Sequence, residues 1–99
     1  MKVLISAQLR PSVVEAAELT SLSVERADGL SETDVDSALR TAGAGRAAEG
    51  HAWLAVAWLR DQGPAGDPQW TDGFGEMIAY AASKGWTDPG QESVRAHLA

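Results

Sequence analysis

The chain has 99 residues, with fourteen acidic side chains against eight basic ones and a net charge of −6. That length suits a single domain, residues 1–99, with one core and little spare stability for a large internal cavity. The charge argues against a nucleic-acid partner, because phosphate binding needs clustered Lys and Arg, and the lack of cysteine excludes disulfides, thiolate metal sites and cysteine nucleophiles.

The first residues, Met1 to Ser6, hold only three strongly apolar side chains, too few for a signal-peptide core, and no stretch is long enough to span a bilayer. A cytoplasmic location is the expectation. Lys2 to Leu9 then alternates, with Val3, Ile5, Ala7 and Leu9 on one side, and predicts a half-buried strand. Ser12 stands three residues before Glu15, a capping-box spacing that predicts a short helix over Pro11–Glu18. Leu22 and Val24 alternate with polar neighbours, so Thr20–Arg26 reads as a second strand.

After a turn at Ala27-Asp28-Gly29, Ser31 is placed as an N-cap with Asp34 three residues on, and Leu30 can staple against Val35. Val35, Ala38, Leu39 and Ala42 form one face, Asp36 can pair with Arg40, and Gly43 ends the helix. Ala44–Gly50 reads as a loop of small residues. His51–Leu59 is ambiguous between strand and helix; alternation favours a buried strand over His51–Ala57, turning near Arg60-Asp61. Gln62–Gly66 is a loop.

The clearest element follows. Asp67 as N-cap and Pro68 at the first helical position open a helix whose apolar face carries Trp70, Phe74, Met77, Ile78 and Ala81. It runs to Lys84 and stops at Gly85. Gly73 and Gly75 flank Phe74, each costing about 1 kcal/mol relative to alanine; close packing of a neighbour explains them more simply than a ligand does. Trp86 should fold back onto the helix. Val94, Ala96 and Leu98 alternate with Arg95 and His97, a final strand, with a terminal helix from Gln91 as the competing reading. The result is an α+β two-layer sandwich: about four strands in a mixed or antiparallel sheet, covered on one face by two or three helices.

Two constellations point toward function. His51 and His97 would approach each other if their strands pair, with Arg95 and Glu49 nearby. Imidazoles exchange protons near neutral pH, so such a pair suits acid–base chemistry on an apolar or aromatic metabolite, with Arg95 steadying negative charge. The plainer alternative is an exposed strand-edge pair, and neither a third metal ligand nor a cofactor motif is evident. Four tryptophans are many for this length. Trp53, Trp58 and Trp86, with Tyr80 on the flank of the long helix, are candidates to line a pocket for an apolar small molecule or to anchor an interface. No nucleophile elbow, zinc-protease or Ser-x-x-Lys motif is present. The acidic residues around the second helix lack a calcium-loop pattern and read as a solvated helix start. These features lead to the expectation of a binding or interaction module, homodimeric through a Trp-bearing sheet face, with a small isomerase, cyclase or hydrolase as the alternative.

Overall fold

The computed structural model describes residues 1–64 and 66–99. Its strands are β1 (Lys2–Ile5), β2 (Pro11–Val14), β3 (Ser23–Arg26), β4 (Gly45–Ala48), β5 (His51–Ala55) and β6 (Ser93–Leu98), and its helices are α1 (Glu32–Thr41), α2 (Val56–Gln62) and α3 (Pro68–Ser83). The strands form one mixed sheet in the order β2-β1-β3-β6-β5-β4. β1 is parallel to β3 and β3 to β6, while the other neighbours are antiparallel. The α+β class holds; the strand count is six rather than four.

One sheet face is apolar and one is not. Val3, Ile5, Val24, Ala47, Ala52, Leu54, Val94, Ala96 and Leu98 are buried, and they join Val35, Ala38 and Leu39 of α1, Val56 and Leu59 of α2, and Trp70, Phe74, Ile78 and Ala81 of α3 in a single cluster. The helices therefore lie on that face. The alternate residues of each strand, Lys2, Ser23, Glu25, Arg46, His51, Trp53, Arg95 and His97 among them, stand on the opposite, open face. This is the period of two expected of a sheet covered on one side.

The predicted helix caps are present. Ser31 accepts from the Asp34 amide while the Asp34 carboxylate accepts from the Ser31 amide, closing a capping box on α1. Asp67 accepts from the Gln69 and Trp70 amides at the start of α3. At its end the Gly85 amide donates to the Ala82 carbonyl and the Trp86 amide to that of Ala81, the two bonds of a Schellman cap, with Gly85 at φ +77°.

The predicted second strand, Thr20–Arg26, starts only at Ser23, and three further segments differ from the expectation. Pro11–Val14 is an edge strand, not a helix: Val13 and Val14 are β-branched, proline is tolerated at the start of an edge strand, and the backbone turns out at Glu15, φ +54°. Strand β1 correspondingly ends at Ile5, and Leu9 takes φ +60° in the turn to β2. Gly45–Ala48 is a strand, not a loop. Its hairpin with β5 turns on Glu49-Gly50, both at positive φ (56° and 79°), the signature of a type I′ turn. A side chain at Gly45 would collide with the Trp53 carbonyl oxygen across the hairpin.

The third difference is at the end of β5. The strand stops at Ala55, and the chain enters α2 directly, running helically through Arg60-Asp61 where a turn was predicted. Val56 and Leu59, three residues apart, are its buried pair, and Trp58 packs against the core from its flank. The predicted loop Gln62–Gly66 is shortened to begin after Gln62, and Ala65 within it lies outside the described residues.

Acidic residues around α1 do more than match the helix dipole. The Ala47 amide on the outer edge of β4 donates to Asp36 Oδ1 at 2.8 Å, and the Arg40 Nε donates to the same carboxylate at 2.9 Å. These contacts hold the Asp36 carboxyl below its ordinary pKa, the Ala47 amide contributing most. Glu32 accepts from the Gly50 amide in the hairpin turn. Thus α1 occupies hydrogen-bonding positions that an edge strand would otherwise leave open.

Candidate functional site

The site lies where the two halves of the sheet meet. β3 and β6 pair through only two positions, Ser23 with His97 and Val24 with Leu98. Further back along β6 its edge is taken instead by the segment after α3: Thr87 bridges Val94, and the Arg95 amide donates to the Trp86 carbonyl at 2.7 Å. Between that segment and the stretch Thr20–Leu22, which leads into β3, is a cavity of about 290 Å³.

Its walls come from five parts of the chain. Met77, Tyr80 and Ala81 are on α3, Trp86 follows the helix cap, Thr20, Ser21 and Leu22 precede β3, and β6 contributes Val94 to His97 with His51 from β5. The Schellman cap places Trp86 against the last turns of α3, where its ring meets Tyr80 edge-on at 6.1 Å between centroids and 73° between planes. The two rings remain 36% and 58% exposed, respectively, unlike the residues of the helix's buried face. Lys84 Nζ lies 5.5 Å from the Tyr80 ring centre on its flank.

The Thr20–Leu22 wall is shaped by Glu18. Its carboxylate accepts from the Thr20 and Ser21 hydroxyls and from the Thr20 amide, and it lies 3.4 Å from the ammonium nitrogen of Met1. Those bonds, the Thr20 hydroxyl foremost, lower its pKa to about 2.

The register brings the two histidines together. His51 is directly opposite His97 on antiparallel strands, and the next position along the open face sets Trp53 opposite Arg95. Directly opposed residues on such a pair have Cβ atoms about 4.5–5.5 Å apart. Trp53 is also opposite Arg46 of β4, whose guanidinium carbon is 5.4 Å from the indole centre. A cross-strand row therefore reads Arg46–Trp53–Arg95, and the adjoining row Ala48–His51–His97–Ser23–Lys2. Neither row holds a carboxylate. On this face Glu25 belongs to the other half of the sheet and is paired with Lys2.

Of the residues expected to carry function, His51, His97, Arg95, Tyr80 and Trp86 line one cavity. Trp53 lies outside it, half-buried on the open face beneath Arg46, and Trp58 is remote, on α2 against the core. Glu49 is confined to the hairpin turn, with its backbone at positive φ. Thr20, Ser21, Leu22 and Met77 were not anticipated; Leu22 and Met77 look like ordinary core positions in the sequence, and no local pattern marks the other two. Among the described residues no three His, Asp or Glu side chains cluster as a metal site would require, and no helix is long and apolar enough to cross a membrane.

Comparison with protein-family models, with curated proteins and with solved structures finds no match for this chain.

Proposed function

We propose that the protein is a small-molecule-binding module and that its site is the cavity between Trp86 and the stretch Thr20–Leu22. The supporting observation is convergence: five residues from three distant segments, two histidines, one arginine and two aromatics, line the same 290 Å³ space. Apolar walls with a few polar groups are the common form of a ligand pocket, and this volume matches a compact molecule with one or two rings. Trp86 and Tyr80 supply flat apolar surface that folding leaves uncovered.

The test is chemical-shift mapping of the 15N-labelled protein against a set of small aromatic and apolar compounds. Perturbations should concentrate on Thr20–Leu22, Tyr80, Trp86 and Arg95–His97, and Trp86→Ala should weaken them at least about tenfold, the order expected for a buried aromatic contact. Shifts scattered over the surface, or none at millimolar ligand, would sink the proposal.

One observation favours a second reading, acid–base catalysis on the bound molecule. His51 and His97 stand opposite each other in the wall, so one imidazole can take a proton from a ligand while the other delivers one. In that case His51→Asn and His97→Asn each retain binding but lose turnover; unchanged turnover in both variants removes the catalytic reading and leaves the binding one. Self-association through the open face is less favoured. A two-fold interface centred on Trp53 would set Arg46 and Arg95 of one copy against the same arginines of the other.

A further inference from the structure

We infer that the natural ligand is an amphiphilic acid, its apolar body held between Trp86, Met77 and Leu22 and its anionic group, a carboxylate or phosphate, held by Arg95 with Arg46 behind it. This rests on the cavity being the binding site and adds the charge of what it binds. The argument is from charge placement. The chain carries a net charge of −6, yet the cavity and the two sheet rows that adjoin it contain Arg46, Arg95, His51 and His97 and no carboxylate.

Four ion pairs are formed among the described residues, and none involves Arg46 or Arg95. At the far end of the histidine row the basic group is neutralised: Lys2 is within reach of both Glu15 and Glu25. Arg10, Arg26, Arg60 and Lys84 also lack an ion pair, so what sets Arg46 and Arg95 apart is their place in one row beside the cavity, with no carboxylate in that row. Arg46 is also held in place, since its guanidinium lies over the Trp53 ring, which leaves its N–H fork free to donate. Arg95 is both a cavity wall and the other neighbour of Trp53 in that row, so an anion at the open-face rim of the cavity meets the two guanidiniums on one line across three strands.

An apolar body alone would have no use for that arrangement. A neutral ligand would bring no opposite charge to the two guanidiniums gathered there. A bidentate acceptor such as carboxylate or phosphate matches the guanidinium fork directly.

The experiment compares two fluorescent probes with nearly the same apolar body: 8-anilinonaphthalene-1-sulfonate, which is anionic, and N-phenyl-1-naphthylamine, which is neutral. Titration of the full chain at low salt should show the anionic probe binding about tenfold more tightly, the order of one hydrogen bond to a charged group. Arg95→Gln should bring the two affinities to parity, Arg95→Lys should keep part of the difference, and Arg46→Gln should reduce it by about threefold, as expected for a more distant charge. Circular dichroism of each variant confirms the fold. Equal affinity for the two probes, both weakened by Trp86→Ala, overturns the anionic inference while the cavity reading stands. Binding of either probe that is indifferent to Trp86→Ala overturns both. Competition by a short-chain aromatic carboxylate and by the matching phosphate monoester then distinguishes the two anion types.

Discussion

The two ends of α3 each carry a tryptophan, and the two are used in opposite ways. At the start, Trp70 is 6% exposed, stacks on Phe74 at 5.1 Å, and donates its indole N–H to the Ala16 carbonyl at 2.7 Å. Gly63 lies so close beneath its ring that any side chain there would collide with it. Past the other end, Trp86 is 36% exposed, meets Tyr80 edge-on, and faces a cavity. One ring has its surface covered and its polar atom satisfied; the other has surface to spare. Residue type says nothing about which is structural. The closure of the surroundings does.

This contrast can be broken by mutation. Trp70→Ala should cost about 3–5 kcal/mol, the range for removing a large buried aromatic ring, while Trp86→Ala should stay within about 1 kcal/mol because the ring is partly solvated. Urea denaturation of both variants measures the difference; equal losses would erase the distinction. Gly63→Ala should cost about 1–3 kcal/mol through forced displacement of the Trp70 ring. At the Trp86 end Gly85→Ala meets no neighbour but is strained by its positive φ.

Smaller effects sharpen the same picture along the helix and beyond it. Asp36→Ala should cost about 1–2 kcal/mol by leaving the Ala47 amide without its partner, detectable as faster amide exchange at Ala47. Gly75 has open space around the position of an added Cβ and lies within α3, so Gly75→Ala should stabilise by about 0.5–1 kcal/mol. A rise in thermal midpoint is the readout, and a fall would mean that this face of α3 is covered in solution. Gly73 is different, because an added methyl would press on Leu19.

The Thr20–Leu22 wall gives a pH-dependent prediction. Glu18 has its pKa lowered on folding, to about 2. Its contribution is therefore fully present above the unfolded value near 4.5 and is lost as pH falls from there through about 2. Glu18→Gln should flatten the acid limb of stability in that window and leave neutral-pH chemical shifts of Trp70 untouched. An unchanged acid limb would show that the carboxylate does not hold the wall in place.

Legibility in the sequence followed the reach of the forces involved. α1 and α3 were readable because their ends are set by side chains three or four residues away, Ser31 with Asp34 and Asp67 with Trp70. β6 was readable from Val94, Ala96 and Leu98. β4 was not, because Gly45, Ala47 and Ala48 have no apolar signature; that strand exists through its pairing with β5 and the reach of Asp36 from another element. α2 was hidden because Val56 and Trp58 continue the alternation of β5 by coincidence. In the site, the meeting of His51 with His97 required only that their strands pair. The position of Arg46 beside Trp53 depends on the β4–β5 hairpin, whose first strand has no apolar signature, so the cationic row is not legible in the sequence.

The short join between β3 and β6 has a consequence for how the molecule assembles. β6 is inserted between the two halves of the sheet, completing β5 on one side and closing on β3 through Ser23 and Val24 on the other. That closure links positions far apart in sequence, the kind of contact whose loop entropy makes it slow. The cavity requires both halves of the sheet to be in place, since its walls belong to both sides of the join. A molecule bound there would act as a clasp across a strand pairing of only two positions, so occupancy would oppose separation of the two halves of the sheet as well as fill a space.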